Sequence, residues 1–450
     1  MERRPVNKTR REILQIALPA VAGFISLILY QFIDIFWIAK LGTEAVAGAS
    51  SSDYWMWALE ALMETTTIGC ATLIAQSIGA GDPQGARDTA REAVHLSILF
   101  SIVFTIFGLA VGEHLMRWMG LSPAALEAGW AYLSVLILSL PVLHLVILGN
   151  QIFNAHGDTK TVVIIMGIAL SINACLDPIL MFGWWGFPAY GIRGAAYATA
   201  IGWLLGLILR IIYLRKRGYI PPLREFLRVS GKFIGRILRV GTPTAASHLI
   251  WTSVFPLLTT LTTMFGMAPL AGMTIGHRFE SLAYFTCIGF SIATATVVGR
   301  RVGAGDFEGA KAAAYEARRL ISYFLVPTSI LFLSAPEFLI RLVTVDPVVV
   351  QTGAAYLRAV GLLHIFLGWE MVFEGGFNGL GNTRPYMMVS IPLTLGRYPA
   401  AWALIHWGGW GVEAVYWCIA ISTLLKGTAM AWLFRRTDPE PLTLASQPGT

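Results

Sequence analysis

The sequence predicts an all-α integral membrane protein with twelve transmembrane helices in two six-helix lobes related by a parallel internal repeat. Three observations predict it. Only 13% of the 450 residues are charged while 56% are hydrophobic, and the mean hydropathy is +0.64; a soluble domain carries about a quarter charged residues. Apolar runs of bilayer-crossing length, such as Leu133 to Gln151, recur along the whole chain, about twenty residues at 1.5 Å rise being sufficient. The chain also repeats itself at a fixed offset of 224 residues.

The first half yields spans near 12–40, 46–78, 92–112, 126–152, 160–183 and 191–214. The first of these is too long, and lacks the small-residue site, for a cleaved signal peptide. The segment IGAGD (78–82) parts the second and third spans, and FNAHGDTK (153–160) parts the fourth and fifth. A basic, proline-containing connector over 215–235 closes the half. The second half yields spans near 236–264, 270–299, 316–335, 349–376, 385–406 and 411–434. Its loops echo the first: GAGD returns at 303–306 and FNGLGNTR at 377–384, each shifted by 224. The same shift carries Pro19 onto Pro243, Gly42 and Gly48 onto Gly266 and Gly272, and Tyr132 onto Tyr356. The expected domains are therefore 1–214, a connector at 215–235, a second lobe at 236–434 and a tail at 435–450. Each half holds an even number of spans, so both enter the membrane in one orientation, and such bundles commonly rock about a central cavity. The loop glycines read as turn residues needing unusual backbone angles, since no lysine or strand makes them a phosphate cradle.

The net charge of +7 follows topology rather than nucleic-acid binding. Arg3, Arg4, Lys8, Arg10 and Arg11 precede the first span, and Arg215, Lys216, Arg217, Arg224, Arg228, Lys232, Arg236 and Arg239 crowd the connector. The odd-numbered connections hold only Lys40, Arg117, Arg193 and Arg341. Cytoplasmic loops collect Lys and Arg, so both termini are expected in the cytoplasm. Trp118, Trp184, Trp185, Trp407 and Trp410 fall at the external span ends, where an interfacial belt belongs. Cys70, Cys175, Cys287 and Cys418 lie inside spans without metal-ligand spacing and read as small core hydrophobes. No nucleophile elbow or zinc motif appears, and the sequence is not that of an enzyme.

Ionisable residues at membrane depth are costly and so mark function. Asp34 precedes Lys40 by six residues, Asp177 precedes Gly183 by six, and Thr199 follows Gly191 by eight. At 1.5 Å per residue all three lie about 9–12 Å below the outer surface, and Asn173 sits one turn from Asp177 on the same face. These oxygens suit Na+, and two close carboxylates equally suit a shared proton. The repeat puts Leu258, Arg397, Ala401 and Ile419 at the corresponding positions of the second half. An acidic pair needed for folding alone belongs in both halves; the competing reading is an aspartate that caps a kink or meets interfacial water. Glu60 and Glu64, Glu280, and Glu370 and Glu374 either line a cavity or pair with Arg278, Arg358 or Arg397. Tyr30 and Trp37 join Glu60, Glu64 and Glu280 as substrate-cavity candidates. Pro19 deprives the first span of one backbone donor and is a hinge candidate; a static bend is the alternative.

IALPA (16–20), LGTEAVAG (41–48), IGAGD (78–82), FNAHGDTK (153–160) and NACLDPILMFGWWGFP (173–188) together carry a family likeness. GIRGAAYAT (191–199), GHRFESLAYFTCIGF (276–290) and VGRRVGAGD (298–306) extend it. From about residue 12 to 434 the chain resembles the multidrug and toxic compound extrusion (MATE) family, in its DinF-like branch. The resemblance implies a prokaryotic inner-membrane antiporter, a monomer in the lipid bilayer, exporting amphipathic, often cationic small molecules against H+ or Na+. It implies no cofactor beyond the coupling ion and no nucleic-acid partner. It also implies that Asp34, Asn173, Asp177 and Thr199 hold the ion and that the first span bends at Pro19. The other bacterial branch has a carboxylate in span seven, and His248 to Gly266 carries none. A lipid-linked-oligosaccharide flippase of the same superfamily is the runner-up, and a non-transporting receptor or scaffold stands behind it.

Overall fold

The computed structural model describes residues 6–227 and 230–437. Arg3, Arg4, Arg228 and the tail beyond Thr437 lie outside the described residues. Within them every regular element is a helix. The first half comprises α1 (Val6–Ala39), α2 (Thr43–Gly79), α3 (Pro83–Trp118), α4 (Pro123–Leu138), α5 (Leu140–Ala155), α6 (Thr159–Phe182) and α7 (Ile192–Lys216). The second comprises α8 (Ile234–Thr263), α9 (Met267–Gly303), α10 (Phe307–Ser334), α11 (Pro336–Arg341), α12 (Pro347–Leu380), α13 (Arg384–Leu395), α14 (Arg397–His406) and α15 (Glu413–Arg436). Short 3-10 turns occupy Trp184–Gly186 and Leu223–Leu227.

Two expected spans are not single helices. The fourth is α4 and α5, bent by 58° at Ser139, where Pro141 supplies no backbone donor to the preceding turn. The eleventh breaks at Gly396 into α13 and α14. Eight helices are individually long and apolar enough to cross a bilayer, nine with the α4–α5 pair. The other three expected spans, α8, α10 and the broken α13–α14, fall below that measure. Cys70, Cys287 and Cys418 are buried as expected, whereas Cys175 is exposed on α6.

The repeat is visible in backbone detail. Asp82 and Asp306 cap α3 and α10, their carboxylates accepting from the backbone N–H of Gly85 at 2.8 Å and of Gly309 at 2.9 Å. The preceding Gly81 and Gly305 take φ of +70° and +72°, the left-handed region where glycine carries no Cβ penalty. Gly48 lies against the backbone of Gly129, and Gly272 against that of Gly353, both pairs related by the same 224-residue shift.

Two compact units result: Ala22–Ala245, and Met1–Val21 with Ala246–Thr450. The divisions fall three residues after Pro19 and Pro243, so the start of each half's first helix belongs to the other half's unit. Side chains fasten those starts. Arg301 donates to Thr9 Oγ1 at 2.7 Å and to the Gly309 carbonyl at 2.6 Å, and it lies 3.5 Å from Glu12. The buried Glu92 carboxylate accepts from the backbone N–H groups of Phe233 at 2.7 Å and Ile234 at 3.1 Å, an acid at a helix N-terminus as the helix dipole favours. In the first unit α2 packs on α3 and α4, and α6 on α7. In the second, α12 is central, packed on α9, α10 and α15.

Candidate functional site

In the unit Ala22–Ala245, four small residues, Gly194, Ala198, Gly202 and Gly206, recur every fourth position along α7. Added methyls show what the stripe achieves: at Gly194 one would strike the Leu180 carbonyl, and at Gly202 it would lie 3.2 Å from Asn173 Cβ and 3.3 Å from the Ala169 carbonyl. Small residues at this spacing let two membrane helices approach backbone to backbone. The approach brings Asn173 on α6 to Thr199 on α7, its Nδ2 donating to Oγ1 at 3.2 Å. The Tyr30 hydroxyl of α1 is 3.4 Å from the same Oγ1. Asp34 stands one turn beyond Tyr30, and Tyr30, Asp34 and Asp177 lie within electrostatic range of one another.

What these groups leave unsatisfied defines the site. Asp34 Oδ1, Asn173 Oδ1 and both Asp177 carboxylate oxygens are buried without a hydrogen-bond partner. Asp177 is fully buried, and Asn173 and Thr199 are nearly so. Buried polar groups in proteins are mostly paired, and an unmet acceptor costs about 1–3 kcal/mol, more when charged. What sets these apart from other unmet atoms such as Thr67 Oγ1 and Tyr416 Oη is that four acceptors converge. Four such oxygens beside one hydroxyl form a cradle for a proton or a small hard cation.

The remaining candidates divide. Tyr30 belongs to the cluster. Trp37 stands among aromatic rings, 5.8 Å from Trp184 and 6.1 Å from Phe182, with Lys40 Nζ 4.3 Å above its face. Glu60 and Glu64 share one face of α2 with Asp53, which the sequence reading missed although the spacing of seven and four residues sets all three in line. Asp53 is within electrostatic range of both Asp34 and Glu60. Glu280 lies in the other unit, where its carboxylate accepts from the Tyr356 hydroxyl and meets His277 Nδ1 at 3.1 Å. Glu370 and Glu374 meet other cations: Lys426 Nζ donates to Glu370 at 2.6 Å, and His248 Nε2 is 3.1 Å from Glu374, with Arg397 in electrostatic range of Glu370. Arg358 instead joins Glu337 at 3.0 Å, and Arg397 donates to Ser422 at 2.6 Å. Pro19 leaves α1 continuous.

Known proteins match this architecture end to end. A probable multidrug resistance protein NorM of Thermotoga maritima is 26% identical over 95% of this chain and 92% of its own. A protein of Shewanella oneidensis described as an FAD transporter is 25% identical over 95% and 94%. A solved structure, described as the outward-facing conformation of a multidrug resistance MATE family transporter of the MOP superfamily, superposes with a TM-score of 0.88 at 23% identity, covering 97% of this chain and 98% of that one. That likeness shows the twelve-helix fold. The MatE family model matches twice, over residues 19–179 and 243–402, each match beginning at one of the paired prolines. Two copies of one family unit, together spanning most of the chain, make this protein a member of the MatE family, a multi-pass membrane transporter and not an enzyme.

Proposed function

We propose that the protein is a cation-coupled antiporter that exports amphipathic, often cationic small molecules by alternating access. The observation that carries this reading is the set of partnerless oxygens of Asp34, Asn173 and Asp177 beside Thr199. Two carboxylates in a low-dielectric cluster cannot both stay ionised cheaply, so H+ or Na+ resides there and leaves as substrate is exchanged. The acidic line Asp53, Glu60 and Glu64 on α2 supports cationic cargo over an anion such as the relative's flavin dinucleotide. Pro19 supplies the bend through which α1, carrying Tyr30 and Asp34, responds to the ion. The family resemblance and the basic inner loops support a prokaryotic inner membrane with both termini cytoplasmic.

The test is efflux of ethidium from proteoliposomes under an imposed H+ or Na+ gradient. Asp34→Asn and Asp177→Asn each abolish gradient-driven efflux while the protein elutes as a folded species. The double variant is no worse than either single, since groups acting as one unit are non-additive. Pro19→Ala slows turnover and keeps ion affinity. Ala401→Asp, at the matched second-half position, does not restore coupling. Near wild-type efflux by both single variants overturns the reading.

A further inference from the structure

A pair of grooves lies on the surface formed by α10, α12 and α15. Two adjoining grooves of about 580 and 480 Å³ share Tyr315, Arg318 and Trp369. The larger continues along α10 over Glu316, Arg319, Ser322, Tyr323 and Val326, and the smaller along α15 over Thr428, Trp432 and Arg435. Hydrogen bonds fix the framework: Tyr315 donates to the Ala431 carbonyl at 3.1 Å and Trp369 Nε1 to Ser322 Oγ at 3.0 Å.

The cations here are held by rings, not by carboxylates. The Arg318 guanidinium lies 4.7 Å from the Trp369 centroid and 5.1 Å from that of Tyr315. Arg319 donates to the Tyr323 hydroxyl at 3.0 Å. Among the described residues neither arginine makes an ion pair, although Glu316 is close to Arg319. A ring-stacked guanidinium stays fully charged and keeps its in-plane N–H donors directed outward. Arg435 adds a third cation from the last turn of α15. Two turns further along α10 from Arg318, Val326 is exposed and apolar, while on the other side of the arginines the exposed Trp432 ring carries Arg436 at 4.1 Å. Arg318 sits eleven residues into α10 and Trp369 eleven before the end of α12, both about 16 Å along their helices from that end. Arginines without carboxylate partners beside an exposed apolar stretch of α10, in adjoining grooves, match one ligand chemistry.

We infer that this groove binds an anionic phospholipid, its phosphate against Arg318, Arg319 and Arg435 and an acyl chain along Tyr323 and Val326 of α10. Basic pockets between membrane helices take such headgroups. The basic loops set it in the cytoplasmic leaflet, but binding itself does not depend on that orientation or on the antiport reading.

Native mass spectrometry of the full-length protein in detergent, titrated with phosphatidylglycerol and with phosphatidylcholine, tests it. Phosphatidylglycerol adducts should be retained preferentially. Arg318→Gln and Arg319→Gln should each weaken retention about fivefold, and the double variant about thirtyfold, as expected when each basic contact contributes about 1 kcal/mol. Arg341→Gln, at the opposite helix end and paired with Glu337, should change nothing. Equal retention of both lipids, or undiminished phosphatidylglycerol binding by the double variant, overturns the proposal. So does displacement of the lipid by millimolar glycerol phosphate, which would make the groove a site for soluble anions.

Discussion

Lys426 is the residue whose environment most constrains its replacement. Its ammonium and the Glu370 carboxylate are 2.6 Å apart, with side chains 2% and 7% exposed. Glu370 Oε2 is buried with no hydrogen-bond partner, so Lys426 is the cation bonded to this acid, with Arg397 in electrostatic range behind it. Removing one member of a buried pair costs about 3–5 kcal/mol, whereas replacing both by apolar groups of similar volume is often neutral. Lys426→Met should therefore lower the thermal unfolding midpoint of the purified protein sharply, and Lys426→Met with Glu370→Met should recover most of it. A single variant that melts with the wild type would show that the pair contributes nothing to the fold. This pairing was not legible in the sequence. Lysine 426 stands inside an apolar run, and its partner lies 56 positions away on a helix whose rotation hydropathy does not report. Asp34, Asn173, Asp177 and Thr199 were legible because helix rise converts positions counted from an end into depth. That one counting rule brought together four residues that geometry then clusters.

At the scale of elements, the α6–α7 contact decides whether those residues meet. Gly202 faces Asn173 Cβ and the Ala169 carbonyl at 3.2 and 3.3 Å from an added Cβ, so a methyl needs a shift of a few tenths of an ångström and a branched side chain moves one helix away from the other. Gly202→Val should lengthen the 3.2 Å Asn173–Thr199 hydrogen bond beyond contact and reduce ion-driven efflux at least tenfold. Gly167→Val is the control, because a Cβ at Gly167 meets nothing within 4 Å. Efflux equal in the two variants would detach the stripe from the site. Element existence was read from apolar length alone, and that signal runs straight through Ser139 and Gly396. The two breaks were missed for this reason, although Pro141 and Pro392 flank them. The exchange of the α1 and α8 starts was also hidden, since it rests on long-range partners such as Arg301 with Thr9 and Glu92 with Phe233.

At the scale of the whole molecule, the repeat makes a prediction about sidedness. A parallel duplication places residues 224 apart on the same side of the membrane, while an inverted one would place them on opposite sides. Trp118 ends α3 and Leu342 follows α11, and the two positions differ by 224. Both side chains are exposed, at 87% and 63%, so a cysteine at either is open to reagent without disturbing a core. The connector between the halves is basic and the loops holding Trp118 and Leu342 are not, so the positive-inside rule predicts a cytoplasmic connector. In a cysteine-free background, required because Cys175 is exposed, Trp118→Cys and Leu342→Cys should both react with an impermeant maleimide in intact cells. Glu225→Cys in the connector should react only after permeabilisation. Labelling of one of positions 118 and 342 without the other would rule out the parallel relation. External labelling at 225 would invert the whole topology, and with it the assignment of the Asp34 and Asp177 cluster to the outer half of the membrane.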